Sequence, residues 1–421
     1  MRLTGIAVLL TIASLAWPVV CRADDAKLQP NDFLAIVGDS ITEQRIYSVD
    51  MEDYLLMCKP VEPIRVMQFG WGGETSWGLF ARLDNDVLRF KPTAATTFYG
   101  MNDGAYSPQD PVKHKHYYDN QTAIVAAMKK AGVRLIVVGA PDPVDTFSFR
   151  RNPKAAEMYN KTLADERDVC KQVADEQHVQ YADVYDNMMD VMQKAKAKYG
   201  NDYLVCGGDG VHPGPNGHLV IAYSFLKALG CDGDIGAITF DMAADSATAT
   251  DGHKILSAKN GVVQVESTRY PYCFTGNPKS PDATTGIIEF FPFNQDLNRF
   301  TLVVTNAKSP KLKVTWGKTS KVFSSDELAK GINLAAEFLD NPFSAQFAKV
   351  DQAVRAQQDF ETPLIKGLIH DLPGFEQMVP EDKDQLEKFA ADAAAKDQSL
   401  AAAAAAAVTP VQYTITIEAA Q

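Results

Sequence analysis

Phe33-Leu34-Ala35-Ile36-Val37-Gly38-Asp39-Ser40-Ile41-Thr42 decides how this chain is read. Five apolar residues in a row are too few for a helix and suit a strand buried on both faces. Gly38 and Asp39 end the run, and Ser40 stands in the turn that follows. The same texture returns at 64–69, 94–99, 134–139 and 179–184, each stretch ending near Gly, Asp or Pro. Helix-length segments lie between, at 46–57, 77–90, 117–131, 155–176 and 188–199. A last one, 215–229, starts behind Pro213-Gly214-Pro215 and stops at Gly230. Repeated strand–helix–strand units with right-handed crossovers predict a three-layer α/β domain around a five-stranded parallel sheet.

After Gly230 the texture changes. Residues 236–322 are rich in Thr, Val and turn formers, and 261–265, 300–304 and 312–316 read as antiparallel strands. Residues 325–409 are helical in pattern, with helices expected at 345–360 and 381–396. The alanine tract 401–407 is helix or flexible spacer, since alanine is the best helix former. Pro410 closes the stretch, and the alternating 411–417 is expected to pair with the 300–316 strands. The helical part would then be an insertion in a small β-rich region, and the expected divisions are 1–23, 24–235 and 236–421.

Residues 1–23 read as a signal peptide: Arg2, an apolar run from Ile6 to Leu15, and Cys21-Arg22-Ala23 before a cleavage point. The alternatives are an uncleaved anchor and, less well matched because Val20 precedes Cys21, a lipoprotein. The expected location is secreted or periplasmic. A net charge of -12 disfavours nucleic acid and anionic lipid as partners, because both would be repelled. It leaves a small-molecule or glycan substrate open. Cleavage leaves five of the six cysteines, with no spacing that marks a disulfide framework or zinc site. Cys206 and Cys231 are the pair to test, against the alternative that all are small buried apolar residues.

Four segments carry candidate chemistry. Ser40 stands at the C-terminal end of the first strand, where open α/β sheets bind ligands; its alternative reading is a helix N-cap. Gly70-Trp71-Gly72-Gly73 follows the second strand. Glycines there let backbone N–H groups approach a reacting atom, or simply make a tight turn. Gly100-Met101-Asn102-Asp103 follows the third; the Asn102 amide suits a developing oxyanion, or an Asx-turn. Asp209-Gly210-Val211-His212 precedes the last helix. There Asp209 can hold one ring nitrogen of His212 while the other takes a proton from a serine; the alternative is a solvated loop pair.

In order and position these segments resemble the four blocks of the SGNH hydrolase superfamily, the GDSL-like esterases and lipases. The resemblance covers residues 33–230. It implies a flavodoxin-like strand order and the nucleophile Ser40. It further implies the base His212, oriented by Asp209, and an oxyanion hole of the Ser40 and Gly73 N–H groups and the Asn102 amide. No metal or organic cofactor is implied. One departure stands out: Gln68 occupies the start of the glycine block, where the family often has Asn, so the hydrogen bonding around Gly73 must differ.

The expected activity is hydrolysis of carboxylic esters through an acyl-serine, directed at the O-acetyl groups of a carbohydrate. Acyl transfer, lipid hydrolysis and a non-catalytic carbohydrate-binding role are the alternatives. Trp71, Trp77, Tyr99 and Tyr106 lie in or beside the loops and could stack on a sugar or pack the loops. Glu43, Arg45 and Tyr47 could line the mouth or form an exposed helix face. His114 and His116 read as solvated surface, and His218 as structural.

Overall fold

The computed structural model describes residues 26–420; the expected leader at 1–23, Cys21 included, lies outside them. β1 (Phe33–Gly38), β2 (Arg65–Gln68), β3 (Ala94–Phe98), β4 (Leu135–Gly139) and β5 (Gln180–Ala182) form a parallel sheet. Its order is β2-β1-β3-β4-β5, the flavodoxin-like arrangement. Every residue of β1 is buried, since apolar helix faces cover both sides. One side takes buried residues of Tyr47–Met57, Val184–Tyr199 and Pro215–Ala228. The other takes those of Ser76–Asp86 and Pro111–Lys130, with part of Pro153–Gln177. The chain leaves β1 toward β2 on one side and returns to β3 on the other. The loops after β1, β2 and β3 therefore open together at the switch point.

Helix Pro111–Lys130 begins ahead of the expected 117. Asp110 caps it, accepting from the N–H groups of Val112 (2.9 Å) and Lys113 (3.1 Å), and Pro111 fits the first turn. The charged run 113–116 had masked this start because it carries no apolar period.

The remaining strands are β6 (Asp234–Asp241), β7 (Ser246–Ala249), β8 (His253–Lys259), β9 (Val262–Ser267), β10 (Arg299–Thr305), β11 (Lys311–Trp316), β12 (Thr319–Ser324), β13 (Ile332–Asn333) and β14 (Val411–Ala419). They form two sheets, β13-β10-β6-β7 and β12-β11-β14-β9-β8. Here one expectation needs correcting. The strand over 300–304 is not in one antiparallel set with the other two: β10 pairs parallel to β6 and antiparallel to β13. Alternation shows that Phe300, Leu302 and Val304 face a core, but says nothing of a neighbour's direction. β14 pairs antiparallel with both β9 and β11.

After the short helix Leu334–Glu337, which packs on β10, the longer helices before β14 lie against the parallel-sheet half. Ser344–Leu364 continues through a π-type turn, Ile365–Ile369, and helix Leu372–Met378 leads on to Lys383–Ala407, which absorbs the alanine tract. Ser344–Leu364 runs along the free edge of β2. Gln357 Nε2 donates to the Val66 carbonyl (3.1 Å), and Glu361 Oε2 accepts from the Gln68 N–H (2.8 Å). Side chains thus satisfy edge groups that a sixth strand would otherwise take. Burial, reinforced by the Glu52 and Asp397 carboxylates, pushes Glu361 well above the usual carboxylate range. The apolar residues of this segment straddle the edge. Phe347, Val350 and Val354 join the core on one side, and Ile365, Ile369 and Leu372 the core on the other.

Cys58, Cys170, Cys206, Cys231 and Cys273 are buried free thiols, so Cys206 and Cys231 are not bridged. Among the described residues no helix is long and apolar enough to cross a membrane.

Candidate active site

β1 ends at Gly38 and the chain turns directly into the short helix Ser40–Glu43. Asp39 caps that helix, accepting from the Ile41 N–H at 3.0 Å. Burial pushes the Asp39 carboxyl up to about 7 against that hydrogen bond, with help from the Asp103 and Glu74 carboxylates. Ser40 is left partly exposed at the switch point.

The loop before Pro215–Ala228 brings the second component. His212 Nε2 lies 2.9 Å from Ser40 Oγ, and His212 Nδ1 lies 2.7 Å from Asp209 Oδ2. Asp209 Oδ1 also accepts from the N–H groups of Val211 (2.8 Å) and His212 (2.9 Å), which is what curls the loop. Burial acts to raise the Asp209 carboxyl, but these donors and the imidazole outweigh it and hold it below its usual range. An ionised Asp209 fixes the proton on Nδ1. The lone pair of Nε2 then faces the Ser40 hydroxyl.

The glycine loop closes over the serine. The Trp71 N–H donates to the Gly38 carbonyl at 2.9 Å. A Cβ on Gly72 would stand 2.5 Å from Glu43 Oε2, displacing that carboxylate, and 3.9 Å from the Ser40 Cβ. Gly73 is left-handed, with φ at +76°. Among the described residues, the N–H groups of Ser40 and Gly73 donate to no protein atom, whereas that of Gly72 donates to Glu43 Oε2. Asn102 Nδ2 donates to the Glu74 carbonyl (3.0 Å) and, at greater length, to Asp39 Oδ2 (3.3 Å). Glu74 is itself fixed by Arg82 (2.7 and 2.8 Å) and the Tyr99 hydroxyl (2.6 Å).

The helical insertion holds this loop from outside. Gln68 Oε1 accepts from the Gly70 N–H (2.9 Å), while Gln68 Nε2 donates to Thr362 Oγ1 (2.9 Å). The glutamine that departs from the family pattern therefore spans loop and insertion with one amide. Lys366 Nζ donates to Glu43 Oε1 at 2.7 Å, so that Glu43 links Lys366 to Gly72. Arg45 reaches Asp359 (3.0 Å) and Thr362 (3.2 Å). His370 Nδ1 lies 2.8 Å from the buried Asp86, and its ring centroid is 4.6 Å from that of Trp71. Lys366, Thr362 and His370 were not singled out from the sequence, where the insertion shows only helical periodicity.

Of the other candidates, Tyr106 reaches the site through its hydroxyl, which donates to Asn102 Oδ1 at 3.4 Å, while the rest hydrogen-bond to none of Ser40, Asn102 and His212. Tyr47 is buried with its hydroxyl on Thr42 (2.7 Å), and Tyr99 is buried on Glu74. Tyr106 stacks on Tyr159, 5.0 Å between centroids. Trp77 is 56% exposed and packs near Phe80 and His116. His114 pairs with Asp165 at 2.8 Å. His218 is fully buried, accepting from the Tyr47 N–H and pairing with Gln44; burial, aided by the nearby His212, brings it down to about 3.

Residues 36–220 match the model of the GDSL-like lipase/acylhydrolase family. A curated relative, an acetylxylan esterase of Geobacillus stearothermophilus, is 28% identical over 224 residues, covering 48% of this chain and 96% of its own length. Its crystal structure superposes with a TM-score of 0.40 at 24% identity, over 48% of this chain and 96% of that one. A gut microbial diltiazem-metabolizing enzyme shares the fold of nearly the whole molecule. Its TM-score is 0.72 at 22% identity, over 93% of this chain and 98% of that one. The parallel-sheet half of the chain is a GDSL-like hydrolase domain of the SGNH superfamily, and the protein is a carboxylic ester hydrolase.

Proposed function

We propose that the protein is an exported carbohydrate O-acetylesterase acting through an acyl-Ser40 intermediate. The observation that carries the mechanism is the line from Ser40 Oγ through His212 to Asp209, at 2.9 and 2.7 Å. In this reading His212 Nε2 takes the Ser40 proton as Oγ attacks the ester carbonyl carbon. The N–H groups of Ser40 and Gly73 receive the oxyanion. Asn102 joins them by giving up its longer contact, the one to Asp39. An Asp39 carboxyl pushed up to about 7 is a weak competitor for that amide near neutrality. His212 then protonates the leaving alkoxide, and the acyl group stays on Ser40. A water gives its proton to His212 and attacks the acyl carbon; the acid departs and Ser40 recovers its proton.

The acetyl and carbohydrate assignment is supported by the acetylxylan esterase relative. Export is supported by the charge and apolar pattern of residues 1–23. The test is turnover of acetylated oligosaccharides beside p-nitrophenyl esters of increasing acyl length, with Ser40→Ala as control. Release of acetate from the glycans, lost in Ser40→Ala, is the expected result. Faster turnover of long acyl chains, or acetyl transfer to an added alcohol outpacing hydrolysis, would replace this reading.

A further inference from the structure

We propose that the cavity between the glycine loop and the helical insertion is the subsite for the hydroxylated alcohol half of the ester, read by His370. The inference rests on the acyl-Ser40 reading for its place in the reaction. The cavity, about 400 Å³, is lined by Trp71, Gly72, Gly73, Thr75, Arg82 and His370 among others. Gly72 and Gly73 belong both to its wall and to the loop that closes over Ser40, so the cavity adjoins the place where the proposed chemistry occurs.

The lining selects the kind of ligand. The largest aliphatic side chain in it is that of Ala81, so an acyl chain would gain little by entering. The cations near it are already paired: Arg82 with Glu74 and Asp86, and Lys366, which covers Trp71, with Glu43. The carboxylates offset both positive charges, so the cavity holds no net cation to draw an anionic ligand. What remains is exposed backbone, the Thr75 side chain and one imidazole, which suit a neutral ligand rich in hydroxyls. Trp71 is a fixed wall, with the Arg82 and Lys366 charges 5.0 and 4.8 Å from its ring, and not an open stacking platform.

His370 is built to present one nitrogen. Its Nδ1 donates to Asp86 Oδ2, and Asp86 is in turn held by the Asn85 amide (2.8 Å). With Nδ1 so engaged, Nε2 is left to pair with a hydroxyl. The side chain is 40% exposed, so a ligand can reach it.

Two measurements test the assignment. The first compares kcat/KM for xylose monoacetate and glycerol monoacetate with that for butyl acetate, at constant acyl group. His370→Ala and His370→Phe should lose about tenfold on the hydroxylated esters, through KM, and stay within about twofold on butyl acetate. His370→Gln, which returns a hydrogen-bonding group, should recover part of the loss. The second titrates xylotriose into Ser40→Ala by calorimetry, with and without His370→Phe; the added substitution should weaken binding by a similar factor. Unchanged ester preference together with unchanged xylotriose affinity would overturn the proposal. So would a shift in acyl-length preference in place of alcohol preference. If the unsubstituted enzyme turned over no ester while xylotriose binding still depended on His370, the acyl-Ser40 reading would fall and the subsite would stand.

Discussion

Two regions of this molecule bury polar side chains, and they do it for different ends. In the hydrolase domain Ser40, Asn102 and His212 stand on three separate loops at one end of the parallel sheet. In the insertion Gln357, Glu361 and Thr362 stand on one helix along the β2 edge of the same sheet. The first set is partly exposed, where the proposed chemistry needs it; the second has its partners within the protein and is mostly buried. The hydrolase sheet does not finish itself. Its edge strand and the start of its glycine loop are satisfied by residues nearly three hundred positions later in the chain.

The division is sharpest at Ser40, the proposed nucleophile. Ser40→Ala should cost on the order of 10⁶ in kcat, judged by nucleophile removal in other serine hydrolases, with the melting temperature unchanged. Steady-state turnover of p-nitrophenyl acetate and a thermal melt check both halves of that statement. Asn102→Ala should cost about 10²–10³ in kcat, as loss of one oxyanion donor does elsewhere. A loss confined to KM would move Asn102 from the oxyanion to substrate binding.

Lys366→Met crosses the line between the regions. It frees Glu43, which holds the Gly72 N–H, and should lower kcat about tenfold, equivalent to roughly 1.4 kcal/mol, with KM little changed. Lys366→Arg should restore most of it. Unchanged kcat in Lys366→Met would make the insertion a mere cover over the sheet. Gln357→Leu should leave the Val66 carbonyl unpaired and cost about 1–3 kcal/mol in chemical denaturation, with kcat unaffected.

A further effect is one of pH. Burial, opposed by the Tyr272 hydroxyl, pushes Asp50 up to about 7 from an ordinary 3.8. The folded state therefore keeps Asp50 neutral where the unfolded chain would ionise it. That penalty is absent below pH 3.8, grows as pH rises and is complete above about 7. Asp50→Asn, which still accepts from Tyr272, should match the parent at pH 4 and melt a few degrees higher at pH 8. A constant difference across that range would assign the effect to packing.

The hydrolase half was legible because its signals are local. Each parallel strand is a short apolar run with a break after it, and the residues proposed for the chemistry stand in the breaks: Ser40, Gly73 and Asn102 each follow a strand. The capped start at Pro111 escaped because the four charged or polar positions 113–116 interrupt the apolar period before Tyr117. The seam escaped for another reason. Gln357, Glu361, Thr362 and Lys366 are ordinary helix-surface types, and only the approach of the β2 edge turns them into partners. Gln68 did give a signal, as a departure from the family pattern. Its meaning needed Thr362, which no local pattern connects to it. The direction of β10 was likewise invisible, because alternation fixes a face and not a neighbour.

β14 lies in the middle of its sheet, between β9 and β11, yet it is synthesised after the whole helical insertion. Until it arrives, β9 and β11 each present an open edge, and such edges invite pairing with other chains. A nascent or truncated chain lacking β14 should therefore be prone to aggregation even with every catalytic residue present. Closing that gap also fixes where the insertion begins and ends, so β14 acts as the clasp that commits the insertion to the esterase sheet.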